Sequence, residues 1–362
     1  MDLPFLLGEE RIPCDIKVRA MAYILGRPRY IIANEVVHSS VLKFIMKPHS
    51  FLVMALTPYP RTLVIRPKPK LPFIFYGKSL DARYENPSIL FSNDGIHWTE
   101  KTQNPIFPPS KDAVRGGGPH NYDPNLIWNP REEKAYLFFN NWGNGFKNVR
   151  LMASKDFINW LDMGQTNIEV VNADEIRASP TVTYNEDEKK YYMLLVHTDL
   201  NGLEKPFIEL FRSDNGLYWA KSGEIEISID MGGSRLYPWH ITLRNVGDEY
   251  WLLASMNRGE KPAQLPLYLF FFKSQDLVNW KAHDKPILIP SSKGFDDTAI
   301  YHGDLIVEGC DLYLYYSGLS RSYSYKIGLI KGKLLKTSCR ELRSSNCIFE
   351  ADYEEFRKAR IS

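Results

Sequence analysis

Hydrophobic positions along this chain fall in short runs, rich in β-branched and aromatic residues and parted by Asn, Asp, Gly and Glu. The runs recur in triplets. One triplet covers 123–128, 135–139 and 149–153, the next 179–184, 191–196 and 207–211. Then follow 239–243, 250–254 and 267–272, and after them 304–307, 312–316 and 325–330. Upstream, 39–44, 51–56 and 87–91 make a first triplet. Each run is predicted to be a strand. No long stretch carries the helical period, and the best helix candidate is the tail 353–358.

A seven-residue phrase closes the first four triplets: Ser92 to Trp98, Ser154 to Trp160, Ser213 to Trp219 and Ser274 to Trp280. The tryptophans are spaced 62, 59 and 61 residues apart, a period that marks a repeat architecture. Ser followed two places on by Asp or Asn predicts a side-chain-capped turn, and the Trp is a plug for the wedge between units. Five units of three or four antiparallel strands predict an all-β protein, a five-bladed β-propeller over residues 35–335. Residues 1–34 are then an N-terminal segment with a candidate blade-closing strand, and 336–362 a C-terminal tail. In a propeller the first strand of each blade lines the central channel, so residues at those strand starts carry the functional reading.

Charge narrows the partners. With 45 Lys and Arg against 43 Asp and Glu and no charged block, no nucleic-acid footprint is predicted. No run is long enough to cross a membrane. The start Met1-Asp2-Leu3-Pro4, with Glu9 and Glu10, does not read as a signal peptide, so a cytoplasmic location is expected, or an extracellular one if an export signal precedes it. Four cysteines at 14, 310, 339 and 347 show no metal-ligand spacing. Aromatic residues make up 13% of the chain; most are expected to fill blades, and the remainder suits stacking on sugar rings. Oligomeric state is not readable.

The phrases, the strand starts and the unit size together resemble the five-bladed propeller superfamily of glycoside hydrolases around families 43, 32, 62, 117 and 130. Thr57-Pro58-Tyr59-Pro60, Glu85-Asn86-Pro87-Ser88-Ile89 and Pro238-Trp239-His240 are similar to motifs of a set of bacterial and phage propellers. The resemblance implies a carbohydrate ligand and a glycoside hydrolase, with a non-catalytic carbohydrate-binding propeller as the alternative. Family 43 implies three carboxylates on the first three inner strands. Asp123-Pro124 matches the second, whereas His38-Ser39-Ser40-Val41 stands at the first and Ala178-Ser179-Pro180 at the third. Hydrolysis needs a group to protonate the leaving oxygen and another to activate water.

Asp123 is therefore the expected orienting group or base, with His38, His240, His302 or Glu175 as its proton-transfer partner. Family 117 pairs an Asp with a His acid, which makes such a pair a precedent within the fold. Arg177, Arg83 and Glu85 are candidate contacts for an acidic or hydroxyl-rich sugar, and Trp142 and Trp239 candidate sugar platforms. No cofactor is required. The resemblance implies a divalent cation such as calcium in the central channel, with His302 as its ligand.

Overall fold

A computed structural model describes the backbone of residues 15–18, 31–34, 36–46, 49–58, 61–67, 74–80, most of 85–335, and 348–351. Before residue 85 the side chains described are those of 39–41 and 53–56. The helix candidate 353–358, Arg83 and the side chain of His38 lie outside the described residues.

The described chain is all β and forms a five-bladed β-propeller. Blade 1 contains Val36–Met46, His49–Pro58 and Ser88–Ser92. Blade 2 contains Asn121–Asn129, Lys134–Gly143, Phe146–Ser154 and Leu161–Glu169. Blade 3 follows with Glu175–Asn185, Lys190–Asp199, Phe207–Ser213 and Ala220–Ile225. Blade 4 has Ser234–Val246, Glu249–Asn257, Tyr268–Ser274 and Lys281–Ala282. Blade 5 has Ala299–Glu308, Asp311–Leu319 and Tyr325–Leu335. All fifteen predicted runs fall on strands of these blades. On the outer strand of blade 5, Asp15–Val18 and Ile31–Asn34 add antiparallel pairings, and Ile348–Ala351 pairs in parallel with Asp15–Val18.

Apolar side chains meet between blades in clusters at every junction, with two between blades 4 and 5. The four phrase tryptophans plug four of them. Trp98 packs at the junction of blades 5 and 1, Trp160 at 1 and 2, Trp219 at 2 and 3, and Trp280 at 3 and 4. The turn holds each plug in place. Asp156 Oδ1 accepts from the backbone N–H of Ile158 and Asn159, and Asp276 does the same for Val278 and Asn279. Each Trp indole donates to the carbonyl three residues back, at 2.9–3.2 Å.

The inner strands are stitched by side-chain oxygens. Ser40 Oγ accepts from Leu126 N, Asn125 Oδ1 from Val182 N, Thr181 Oγ1 from Leu243 N, and Asp304 Oδ2 from Val41 N. Between blades 4 and 5, Thr242 Oγ1 shares a hydrogen bond with His302 Nε2 at 3.1 Å. Ser40, Asn125, Thr181, Thr242 and Asp304 each precede a buried aliphatic residue and occupy equivalent places. Two residues upstream in each blade stand His38, Asp123, Ser179, His240 and His302, where all five inner strands break register.

Candidate active site

At these bulges the backbone turns sharply. Asp123 has φ 53° and Ser179 has φ 55°, both in the left-handed region and each followed by Pro. A non-glycine residue there is strained, and strain of this kind gathers at functional sites. The bend brings three blades onto one imidazole. Ser179 N–H donates to Asp123 Oδ2 at 2.7 Å, Ser179 Oγ lies 2.7 Å from His240 Nδ1, and Asp123 Oδ1 lies 3.6 Å from the same nitrogen. All three residues are buried.

That geometry separates two chemistries. In a serine-nucleophile triad the hydroxyl and the carboxylate use opposite ring nitrogens. Here both gather on Nδ1, so the arrangement is not that of a serine nucleophile. A carboxylate and an imidazole in such proximity are groups able to pass a proton to and from water.

Aromatic rings surround the pair. Trp239 and Tyr301 pack against His240 with ring centroids 5.1 and 4.7 Å away, and His302 stands 5.9 Å off. Tyr301 is raised far above its ordinary range by burial, then by Tyr325, with Asp123 and Glu85 adding to it against a hydrogen bond from Trp239. Tyr122 is pushed up likewise, by burial first and then by Asp123 and Glu85, opposed by a hydrogen bond with Asn140. Both phenols are therefore held as O–H donors beside two carboxylates.

Glu85 is the second of those carboxylates. It is 3% exposed, pairs with His120 Nε2 at 3.3 Å, and its carbonyl accepts from Asn121 N. Asn121 Nδ2 also donates to Asn86 Oδ1 at 2.9 Å, which fixes this segment to blade 2.

The structure thus gathers Asp123, His240, His302 and Glu85 around one region. Glu175 and Arg177 stand apart. They precede Ser179 by four and two residues on the same strand, which puts Glu175 roughly 13 Å away along an extended chain. Arg177 donates to buried Glu209 at 2.6 Å and lies 3.7 Å from Glu175. Trp239 is buried against Leu267, Leu319 and Tyr325, so it presents a wall and not an open platform. Trp142 is half-buried and its ring lies 6.0 Å from that of His120. Sequence reasoning did not single out His120, Tyr122, Ser179 or Tyr301 as site residues. Their signal was adjacency: His120 and Tyr122 lie within three residues of Asp123, Tyr301 lies beside His302, and Ser179 opens the predicted run 179–184 of blade 3. Among the described residues, no three His, Cys, Asp or Glu side chains converge as a metal-binding set.

No family model matches the chain. Over 267 residues it is 28% identical to the A type blood N-acetyl-alpha-D-galactosamine deacetylase of Flavonifractor plautii, covering 62% of this chain and 34% of that protein. The chain therefore spans about a third of the length of the curated relative it matches. A crystal structure of an N-acetylgalactosamine deacetylase from F. plautii, in complex with blood group B trisaccharide, superposes with TM-score 0.63 and 21% identity over 90% of this chain and 94% of that one. A thermostable family-43 glycoside hydrolase gives TM-score 0.55 and 12% identity over 88% and 96%. Beta-1,2-mannobiose phosphorylase from Listeria innocua gives 0.55 and 16% over 85% and 92%. This chain has the five-bladed propeller fold found in family-43-type glycoside hydrolases and in a carbohydrate deacetylase.

Proposed function

We propose that this protein is a carbohydrate-active hydrolase whose reaction centre is the Asp123–His240 pair at the channel mouth. The observation that carries the reading is the meeting of Asp123, Ser179 and His240 from three consecutive blades on one ring nitrogen. The sugar would lie against the Trp239–Tyr301 side, and His302 stands beside the pair as a further imidazole. In glycoside hydrolysis, Asp123 orients the sugar or activates water while His240 protonates the leaving oxygen, and Glu85 is the other buried carboxylate of this region.

A second reading is hydrolysis of an N-acetyl group on an amino sugar. Two observations favour it: the direct Asp123–His240 contact and the 28% identity to a protein named as a deacetylase. Asp123 and His240 would take the proton of the attacking water, the C–N bond would break, and the proton would pass to the departing amine. Tyr301 or Tyr122 would donate to the oxyanion.

One assay separates the bonds. Wild type and Asp123→Asn are incubated with N-acetylated oligosaccharides, and free acetate and new reducing ends are recorded together. Acetate release lost by about 10²–10⁴ in the variant assigns deacetylation, and reducing-end release lost by the same factor assigns glycoside hydrolysis. Sugar binding without either product makes the protein a non-catalytic carbohydrate-binding propeller and refutes the hydrolase.

A further inference from the structure

Below the candidate site, two to four residues further along the inner strands, lies a charge that does not belong to it. Asp304 is fully buried on blade 5. Its Oδ2 accepts from Val41 N and from the guanidinium of Arg244, which reaches over from blade 4. The same guanidinium donates to Ser40 Oγ at 3.2 Å and Val41 O at 3.3 Å on blade 1, and to Leu243 O at 3.1 Å on its own strand. A group within hydrogen-bonding distance of the inner strands of three blades lies in the space those strands enclose.

A divalent ion at this depth would need a shell of oxygens, a carboxylate among them. The oxygens present are those of Asp304, Ser40, Val41 and Leu243, and each already receives an Arg244 N–H. The imidazole proposed as a ligand, His302, directs Nε2 to Thr242 Oγ1. An arginine fork carries one permanent charge and five donors in fixed directions, which suits a mixed set of carboxylate, hydroxyl and carbonyl oxygens.

We propose that Arg244 is the built-in cation of the channel core: its guanidinium takes the place of a divalent ion, neutralises Asp304 and clasps blades 4, 5 and 1 beneath the inner-strand histidines. The core then needs no metal, and its integrity is independent of metal supply. This holds whichever bond the site above it cleaves.

The test is thermal unfolding of wild type, Arg244→Ala, Asp304→Asn and the double variant, each after dialysis against chelator and again in calcium chloride. Removing Arg244 leaves a buried carboxylate unpaired, so Tm is expected to fall by roughly 5–15 °C. Adding Asp304→Asn to Arg244→Ala should then recover part of the loss, because no lone charge remains. Chelation should leave wild type and Asp304→Asn with the same response. The proposal is overturned if chelation lowers the wild-type Tm and Asp304→Asn abolishes that response, since Asp304 would then be a metal ligand. It is equally overturned if Arg244→Ala is as stable as wild type. Should Arg244→Ala fail to fold, the chelator comparison of wild type with Asp304→Asn decides alone.

Discussion

Ser179 has two jobs that substitution can pull apart: a hydroxyl on His240 Nδ1 and a backbone at φ 55°. Alanine and glycine both remove the hydroxyl, but glycine alone adopts that φ without strain. Ser179→Gly is expected to be about 1 kcal/mol more stable than Ser179→Ala in urea unfolding, with both lowering turnover to a similar degree. Glu209 shows a different residue-scale effect. Burial alone would raise its carboxyl, but the His197 imidazole 3.7 Å away and hydrogen bonds from Arg177 and Lys221 outweigh this and hold it at about 2, below the ordinary 4.5. A depressed folded value stabilises the fold above the ordinary value and withdraws that support as pH falls toward 2. Stability measured from pH 5 down to 2 should therefore drop in wild type and drop less steeply in Glu209→Gln. The partner of Arg177 was not legible in the sequence. Glu209 lies two strands over, and Arg177 read alone looks like a ligand contact, because cross-strand neighbours are set by register and not by local pattern.

The repeated phrase is where sequence and structure agree most closely, since its chemistry is local. Ser, Asp and Trp within seven residues specify a turn that closes on itself; the capped N–H groups follow as read, and the structure adds the indole bond to the carbonyl three residues back. The two parts should differ in weight. Trp219 is buried at the junction of blades 2 and 3, so Trp219→Ala is expected to cost about 3–5 kcal/mol. Asp156→Ala removes a cap at an exposed turn and should cost about 1 kcal/mol, both read as shifts in urea midpoint at constant slope. Strands without such a signal escaped notice. Leu161–Glu169, Ala220–Ile225 and Lys281–Ala282 lie at blade edges with many exposed residues, so their sequences lack the apolar runs that mark the other three strands of a blade. The bulges that build the site were legible as positions, through Asp123-Pro124 and the histidines. Their convergence on one imidazole was not, because it depends on left-handed turns at Asp123 and Ser179 that neither residue type demands.

For the whole molecule the decisive junction is the one between blades 5 and 1, where Ile31–Asn34 pairs on the outer strand of blade 5 and leads directly into Val36–Met46 of blade 1. Period alone predicts that a ring closes, yet the closing contacts join residues more than two hundred positions apart and leave no local trace. Val41, Met54 and Leu56 pack there on Ile306, Tyr315, Ile327 and Leu329. Tyr315, itself fully buried, donates its hydroxyl to Gly95 O at 3.0 Å, in the turn that carries Trp98. Closing so long a loop costs entropy that only this junction repays, so a loss here is borne by the entire ring. Tyr315→Phe leaves Gly95 O to the Trp98 indole alone and removes one buried hydrogen bond, which should cost about 0.5–1.5 kcal/mol. An open array of units would answer with local fraying, since each repeat then depends on its neighbours alone. A closed ring should answer with one cooperative transition moved to lower urea, coincident by tryptophan fluorescence and by far-ultraviolet circular dichroism. A second, earlier transition in Tyr315→Phe, seen by one probe and not the other, would show that blades 5 and 1 part before the ring unfolds.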